Sequence, residues 1–343
     1  MDVTVAADWY DLAVEREKLG TSGYVPYLYE LENFLKTAKS TASAMQMLID
    51  KSDLGPDKPY IVKPTTAHTH TVILLHGQSS NGKKFGQELL ETGKTKSGKT
   101  LTELLPGARF VFPTAKRRRS SAFGRKKLTQ WFDIARLEDP SYRNETQLQG
   151  LAESAVEIRN LLRDEMAHVP ARQIILGGLS QGCTMSLSVL LSLQFPLGGY
   201  IGMCGYLPFQ QETEDAIIGG ENEGQADGDG DDDENPFAVS DDEDERPSDP
   251  AVRALAFERD LLDIEPLVGA TAVSTPIFLG HGDADEKKPH VLSEGAARTM
   301  RAAGYNVDWK LYPGLGHWYK IPEEIDDIVA FISEKVAWEM LVT

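Results

Sequence analysis

No apolar run in the sequence approaches the roughly 18 residues that a membrane-spanning helix needs, so no segment is a candidate span. Cysteine is nearly absent. Cys183 and Cys204 are the only two, too few for a disulfide framework. The stretch from Met1 to Lys18 lacks an apolar core and carries Asp2, Asp8, Asp11, Glu15 and Glu17. It reads as neither a secretory signal nor an Arg-rich transit peptide, and a reduced, cytoplasmic protein is expected. Basic charge is also short, with 35 Lys and Arg against 53 Asp and Glu, a formal net charge of −18. That balance argues against a nucleic-acid partner. No internal repeat is visible.

The acidity is local. Between Gln211 and Asp249 stand 17 Asp and Glu against Arg246 alone, which leaves the remainder of the chain at −2. Gly219, Gly220, Gly224, Gly228 and Gly230 are interleaved with the acids. Such a segment cannot bury enough apolar area to offset its ordering entropy, so 211–249 is expected to be a disordered acidic insertion. Residues 1–60 read as an N-terminal extension. Within it Tyr27, Leu28, Leu31, Phe34, Leu35 and Ala38 recur at helical spacing, predicting an amphipathic helix inside 26–50. The main domain is expected over 61–343.

In that domain short apolar runs alternate with helical patterns. Strands are predicted at 71–75, 109–112, 174–176, 200–204, 276–280 and 307–312, and helices at 85–90, 147–166, 185–193 and 323–338. Strands that are continuously apolar are buried on both faces. The expected fold is therefore α/β, a doubly wound, mostly parallel sheet with helices on both faces. A basic loop crosses 116–127, with Lys116, Arg117, Arg118, Arg119, Arg125, Lys126 and Lys127 and no acid. It reads as solvated surface, as a partner for the acidic tract, or as a transient contact for anionic membrane surfaces.

The strand ending at Leu176 runs into Gly177-Gly178-Leu179-Ser180-Gln181-Gly182. This is G-x-S-x-G between a predicted strand and a predicted helix, the context of a nucleophile elbow. A serine hydroxyl needs a base in hydrogen-bond reach, and the base needs an orienting carboxylate. In sheets of this kind the acid and the histidine follow the serine in the chain. Two loops at predicted strand ends supply them. His281-Gly282-Asp283-Ala284-Asp285 offers Asp285, with Asp283 as the alternative, while His281 itself shapes the loop. Gly314-Leu315-Gly316-His317 offers His317 in preference to His290, which lies only five residues past Asp285. Backbone N–H donors for an oxyanion are expected at Gln181, and at Gln78 in the loop His76-Gly77-Gln78. There His76 and Gly77 fix the turn and the Gln78 side chain matters little.

These motifs, with Phe112-Pro113, Trp131-Phe132-Asp133 and Tyr206-Leu207-Pro208, resemble in order and spacing the acyl-protein thioesterase and lysophospholipase-like carboxylesterases, a compact branch of the α/β-hydrolases. The resemblance covers roughly 71–335 outside the acidic tract. It implies an α/β-hydrolase fold and a Ser180–His317–Asp285 triad, with Gln78 and Gln181 as the oxyanion pair. It also implies an apolar acyl groove near Trp131, Phe132, Leu207 and Trp318, while Trp131 read by itself fits a core residue equally well. Hydrolysis of an acylated protein or a small acyl ester is implied, with no cofactor and no metal; a lysophospholipase-type activity is the alternative. A non-catalytic interaction protein built on the same fold is the rival of another class. One departure stands out. After Asp285 the family has an apolar run, whereas this chain has Glu286-Lys287-Lys288-Pro289, which is expected to weaken the packing of the acid loop.

Overall fold

The computed structural model describes residues 58–219, 247–266 and 269–341. The helix expected within 26–50 and most of the acidic tract lie outside the described residues. The described residues all fall within one compact unit.

The strands of the central sheet are β1 (Tyr60–Val62), β2 (His70–Leu75), β3 (Ala108–Phe112), β6 (Ile174–Leu179), β7 (Gly199–Met203), β8 (Ile277–Gly282) and β9 (Val307–Tyr312). They lie in the order β1-β3-β2-β6-β7-β8-β9. Only the edge strand β1 is antiparallel; the other pairs are parallel, with Leu75 opposite Gly178 and Leu179 opposite Met203. Side chains of each strand alternate between two apolar layers. Ile73, Leu75, Ile174 and Leu176 face one, while Val72, Leu74 and Ile175 face the other.

The first layer is covered by α3 (Leu148–Met166), α4 (Gln181–Leu191), α6 (Pro250–Leu261) and α7 (Val291–Ala302). The second is covered by α1 (Gly82–Thr92), the short α2 (Leu101–Leu104) and α8 (Glu323–Glu334). On α3 the buried stripe is Leu151, Ala155, Ile158 and Leu162, whereas Leu148 is exposed. The chain turns from β2 to β3 on one side and to β6 on the other. The switch point therefore lies between the C-terminal ends of β2 and β6, where open α/β sheets gather their ligands.

The basic loop is a two-stranded hairpin, β4 (Arg117–Ser120) and β5 (Lys126–Thr129). Two of its cations are paired with α3, Arg118 with Glu153 and Lys116 with Glu157, each at 2.5 Å. β1, α6 and α7 had no place in the sequence reading. α6 nevertheless carried a start signal, Asp249 as a side-chain cap with Pro250 in the first turn. The last helix ends at Glu334, short of the expected 338.

The expectation of disorder from 211 onward needs correction, because Gln210–Ile218 form helix α5. Thr213 and Ile217 are buried on it, and Glu212 accepts from Asn144 at 3.1 Å, so this end of the acidic tract has apolar and polar anchors that its composition concealed. Arg253 of α6 donates to the carbonyls of Ile217, Pro247 and Ser248, tying together the two described ends that flank 220–246.

Candidate active site

Ser180 sits between β6 and α4 with φ 56° and ψ −121°, a left-handed conformation that a non-glycine residue keeps only when its surroundings impose it. Its N–H donates to the Met203 carbonyl at 2.7 Å. A Cβ on Gly178 would lie 2.6 Å from the Leu75 carbonyl oxygen, and one on Gly182 would overlap the same carbonyl. Those two glycines let the turn close over the end of β2. The N-terminus of α4 then points its unpaired N–H groups and positive dipole end at the serine.

His317, on the turn after β9, joins the other two residues. Its Nε2 lies 2.8 Å from Ser180 Oγ, and its Nδ1 lies 2.6 Å from Asp285 Oδ2. The carboxylate only accepts, so Nδ1 carries the proton and Nε2 is left to accept from the serine hydroxyl. Asp285 is enclosed by donors. Oδ2 also accepts from His281 Nε2 at 3.1 Å, and Oδ1 accepts from the N–H groups of Lys287 and Lys288, each at 2.9 Å. Burial alone would raise the carboxyl pKa. The bonds from His281, His317 and Lys288 outweigh it and hold the group well below the usual carboxylate range. The alternatives take no part in this chain of bonds. Asp283 accepts from Gly314 N–H at 2.7 Å, and His290 precedes the first turn of α7.

The lysine run does not loosen the acid loop as expected. Lys288 is buried, its N–H binds Asp285, and its carbonyl accepts from His281 Nε2 at 2.9 Å. Backbone hydrogen bonds take the place of apolar packing there.

Gln78 and Gln181 both border the cavity at Ser180. Among the described residues no group accepts from either backbone N–H. The loop carrying Gln78 approaches closely, since a Cβ on Gly77 would lie 3.4 Å from Ser180 Cβ. His76 is fully buried and neutral. Nδ1 donates to the Gly77 carbonyl at 2.7 Å, Nε2 accepts from Ala115 N–H at 3.0 Å, and burial lowers its pKa to about 4 against that backbone bond. The Gln78 side chain matters more than expected, because its Nε2 donates to Gln130 Oε1 at 2.7 Å and fastens the loop to the end of the hairpin.

The cavity above Ser180 has a volume of about 330 Å³. Of the four residues expected to line an acyl groove, Trp318 borders it. Trp131 and Phe132 do not; they are core residues at 1% and 0% exposure. Their backbone is where the Gln181 side chain docks, Oε1 accepting from Trp131 N–H at 2.9 Å and Nε2 donating to the Phe132 carbonyl at 2.8 Å. The Trp131 indole donates to the His76 carbonyl at 2.8 Å. These aromatics therefore brace both oxyanion candidates from below. Leu207 is buried and borders a different cavity, beside Glu138, Phe209 and Leu292. The apolar walls at Ser180 come instead from Phe85, Phe123, Ile134, Leu137, Leu179 and Tyr206. Tyr206 lay within a motif already singled out; the others carried no chemical signature in sequence.

Cys204, His281 and Asp285 bring three metal-type ligand atoms within 4.8 Å of one another. Burial raises the Cys204 thiol well above its ordinary pKa, His281 Nε2 donates its proton, and Asp285 Oδ2 is already engaged twice. A set that holds its protons suits a hydrogen-bond network better than a cation. Both cysteines are unpaired and buried.

A family model described as Phospholipase/Carboxylesterase matches residues 56–224. Over that span the chain is similar to this family of α/β-hydrolases. The matched span contains Gln78, Ser180 and Gln181, while Asp285 and His317 lie beyond it. Acyl-protein thioesterase 1 of Yarrowia lipolytica is 27% identical over 292 residues, covering 82% of this chain and 99% of that protein. Acyl-protein thioesterase 1 homolog 1 of Dictyostelium discoideum is 26% identical, covering 80% and 94%. Among solved structures, Zea mays acyl-protein thioesterase 2 superposes with a TM-score of 0.55 at 24% identity, over 81% of this chain and 99% of that one. No helix among the described residues is long and apolar enough to cross a membrane.

Proposed function

We propose that the protein is a serine hydrolase that cleaves acyl esters or thioesters through an acyl-serine intermediate, with acyl-protein thioesterase activity the reading its relatives favour. The observation that carries this is the unbroken chain from Ser180 Oγ through both nitrogens of His317 to Asp285 Oδ2, at 2.8 Å and 2.6 Å. His317 Nε2 takes the Ser180 proton as Oγ attacks the acyl carbonyl. Asp285, kept ionised by its donors, fixes the imidazole tautomer and stabilises the imidazolium that forms. The N–H groups of Gln78 and Gln181 receive the developing oxyanion, aided by the dipole of α4. His317 then protonates the leaving thiol or alcohol and activates water against the acyl-serine.

A cytoplasmic location fits this reading, as does brief contact with an anionic membrane surface through the exposed cations of the hairpin. The test is labelling by a fluorophosphonate probe, combined with turnover of a p-nitrophenyl ester. Wild-type protein should be labelled and active, and Ser180→Ala should lose both. An unlabelled wild type would instead favour the non-catalytic interaction protein.

A further inference from the structure

One wall of the Ser180 cavity is chemically out of keeping with the rest. Lys287 and Lys288 both border it, and no acidic residue does so among the described residues. Lys287 is exposed, but Lys288 is only 7% exposed. The Lys288 ammonium donates to the Leu137 carbonyl and lies 4.8 Å from the centroid of the Tyr206 ring. Both neighbours are themselves cavity walls. The lysine backbone is fixed from two sides, by its N–H on Asp285 and its carbonyl on His281, so the side chain leaves from a rigid base.

A buried cation is costly unless an anion faces it. The two carboxylates that act on its charge, Asp285 and Glu138, are poorly placed to serve. Asp285 already has both oxygens engaged, and Glu138 borders the adjacent cavity. Burial lowers the Lys288 pKa to about 8 against the pull of both carboxylates, as expected of an ammonium short of a partner. A carbonyl and a ring face use part of its donor capacity, and an ammonium offers three donors.

We propose that Lys288, assisted by Lys287 at the exposed edge, forms an anion subsite of this cavity, so that the preferred substrate is an amphiphile with a negatively charged group near its scissile acyl linkage. The apolar walls take the hydrocarbon and the lysines take the charge. This deepens the hydrolase reading and rests on it. The anion can belong to the acyl group, as in a half-ester or half-thioester of a dicarboxylic acid, or to the leaving group.

Two matched substrate pairs separate these sources. The first sets a p-nitrophenyl half-ester of glutaric acid against p-nitrophenyl pentanoate. The second sets S-butyryl thioglycolate against S-butyryl mercaptoethanol. Wild-type protein should favour the charged member of at least one pair by roughly 10-fold in kcat/KM, the scale of one charge-assisted hydrogen bond. The ratio should collapse in Lys288→Met, persist in Lys288→Arg and fall about 3-fold in Lys287→Gln, whose side chain is exposed. A merely structural Lys288 would lower both members of a pair alike and leave the ratio unmoved. No preference in either pair, or a ratio unchanged in Lys288→Met, overturns the proposal. Should Lys288→Met not fold, the Arg and Gln variants decide by the same ratios.

A binding measurement keeps the two readings apart. Adipate should bind Ser180→Ala about 10-fold more tightly than hexanoate, and Lys287→Gln should reduce that margin. Adipate selectivity without any ester turnover in the wild type would sink the hydrolase and leave the anion subsite. Turnover without charge preference would do the reverse.

Discussion

At the elbow, Ser180 is held by backbone packed against backbone. Gly178 and Gly182 bring α4 down onto the Leu75 carbonyl, and the Ser180 N–H is bound to Met203. In the acid loop, Asp285 is held by donors converging on its oxygens, two from main-chain N–H groups and two from histidine rings. The first arrangement depends on the absence of side-chain volume, the second on the supply of protons. A single added methyl group should break the elbow, whereas the acid loop should weaken one hydrogen bond at a time.

Asp285→Asn should show the largest effect. The amide can donate as well as accept, so it tolerates the wrong His317 tautomer and cannot stabilise the imidazolium. A loss in kcat on the order of 10³-fold or more is expected, with little change in KM, in steady-state kinetics on a small ester. The same residue makes a pH prediction. Its folded pKa lies below the ordinary value of 3.8, so its contribution to stability is complete above that value and disappears only as the pH falls toward the lower folded pKa. Unfolding midpoints should therefore show no pH dependence from Asp285 between about pH 5 and 8, where its contribution is constant. Below about pH 4 the wild type should lose stability more steeply than Asp285→Asn.

Gly182→Ala should come next. The added Cβ would meet backbone, and neither β2 nor α4 can withdraw without opening the sheet. A destabilisation of about 3 kcal/mol is expected in urea unfolding, with activity lost alongside. An unchanged midpoint would mean that the elbow is looser than its glycines imply.

The contrast also explains what the sequence made legible. The elbow could be read because its packing demand is written in residue types, two glycines around a serine between an apolar strand and a helix. The α/β alternation could be read for the same reason, through continuous apolar strands. Asp285 and His317 were legible as loop residues at strand ends, by chemistry and chain order. The cavity walls were not. Whether an aromatic faces ligand or core depends on which side of a loop it leaves, and composition does not encode that; Trp131 and Phe132 went to the core while Phe123 and Tyr206 went to the cavity. Helix α5 was hidden because acid-rich composition outweighed the two buried positions, Thr213 and Ile217.

His281→Gln should have a smaller effect than Asp285→Asn. It removes a ring that donates to both Asp285 and the Lys288 carbonyl, yet Asp285 keeps His317 and two backbone donors. Roughly a tenfold fall in kcat/KM is expected. A fall as deep as that of Asp285→Asn would show that the loop fails as a unit rather than bond by bond.

Gln78→Ala should be the mildest. It leaves the Gln78 N–H in place and removes only the 2.7 Å bond to Gln130. His76, the Gly77 turn and the bond from Ser79 N–H to the Thr129 carbonyl at 2.8 Å still hold the loop. The donor should therefore wander slightly rather than depart. Its alignment matters most when the oxyanion forms, so the expected change is a three- to fivefold drop in kcat, roughly 1 kcal/mol, with KM and the urea midpoint unaltered. A shift in KM alone would place the Gln78 side chain in ground-state binding and remove it from the support of the oxyanion site.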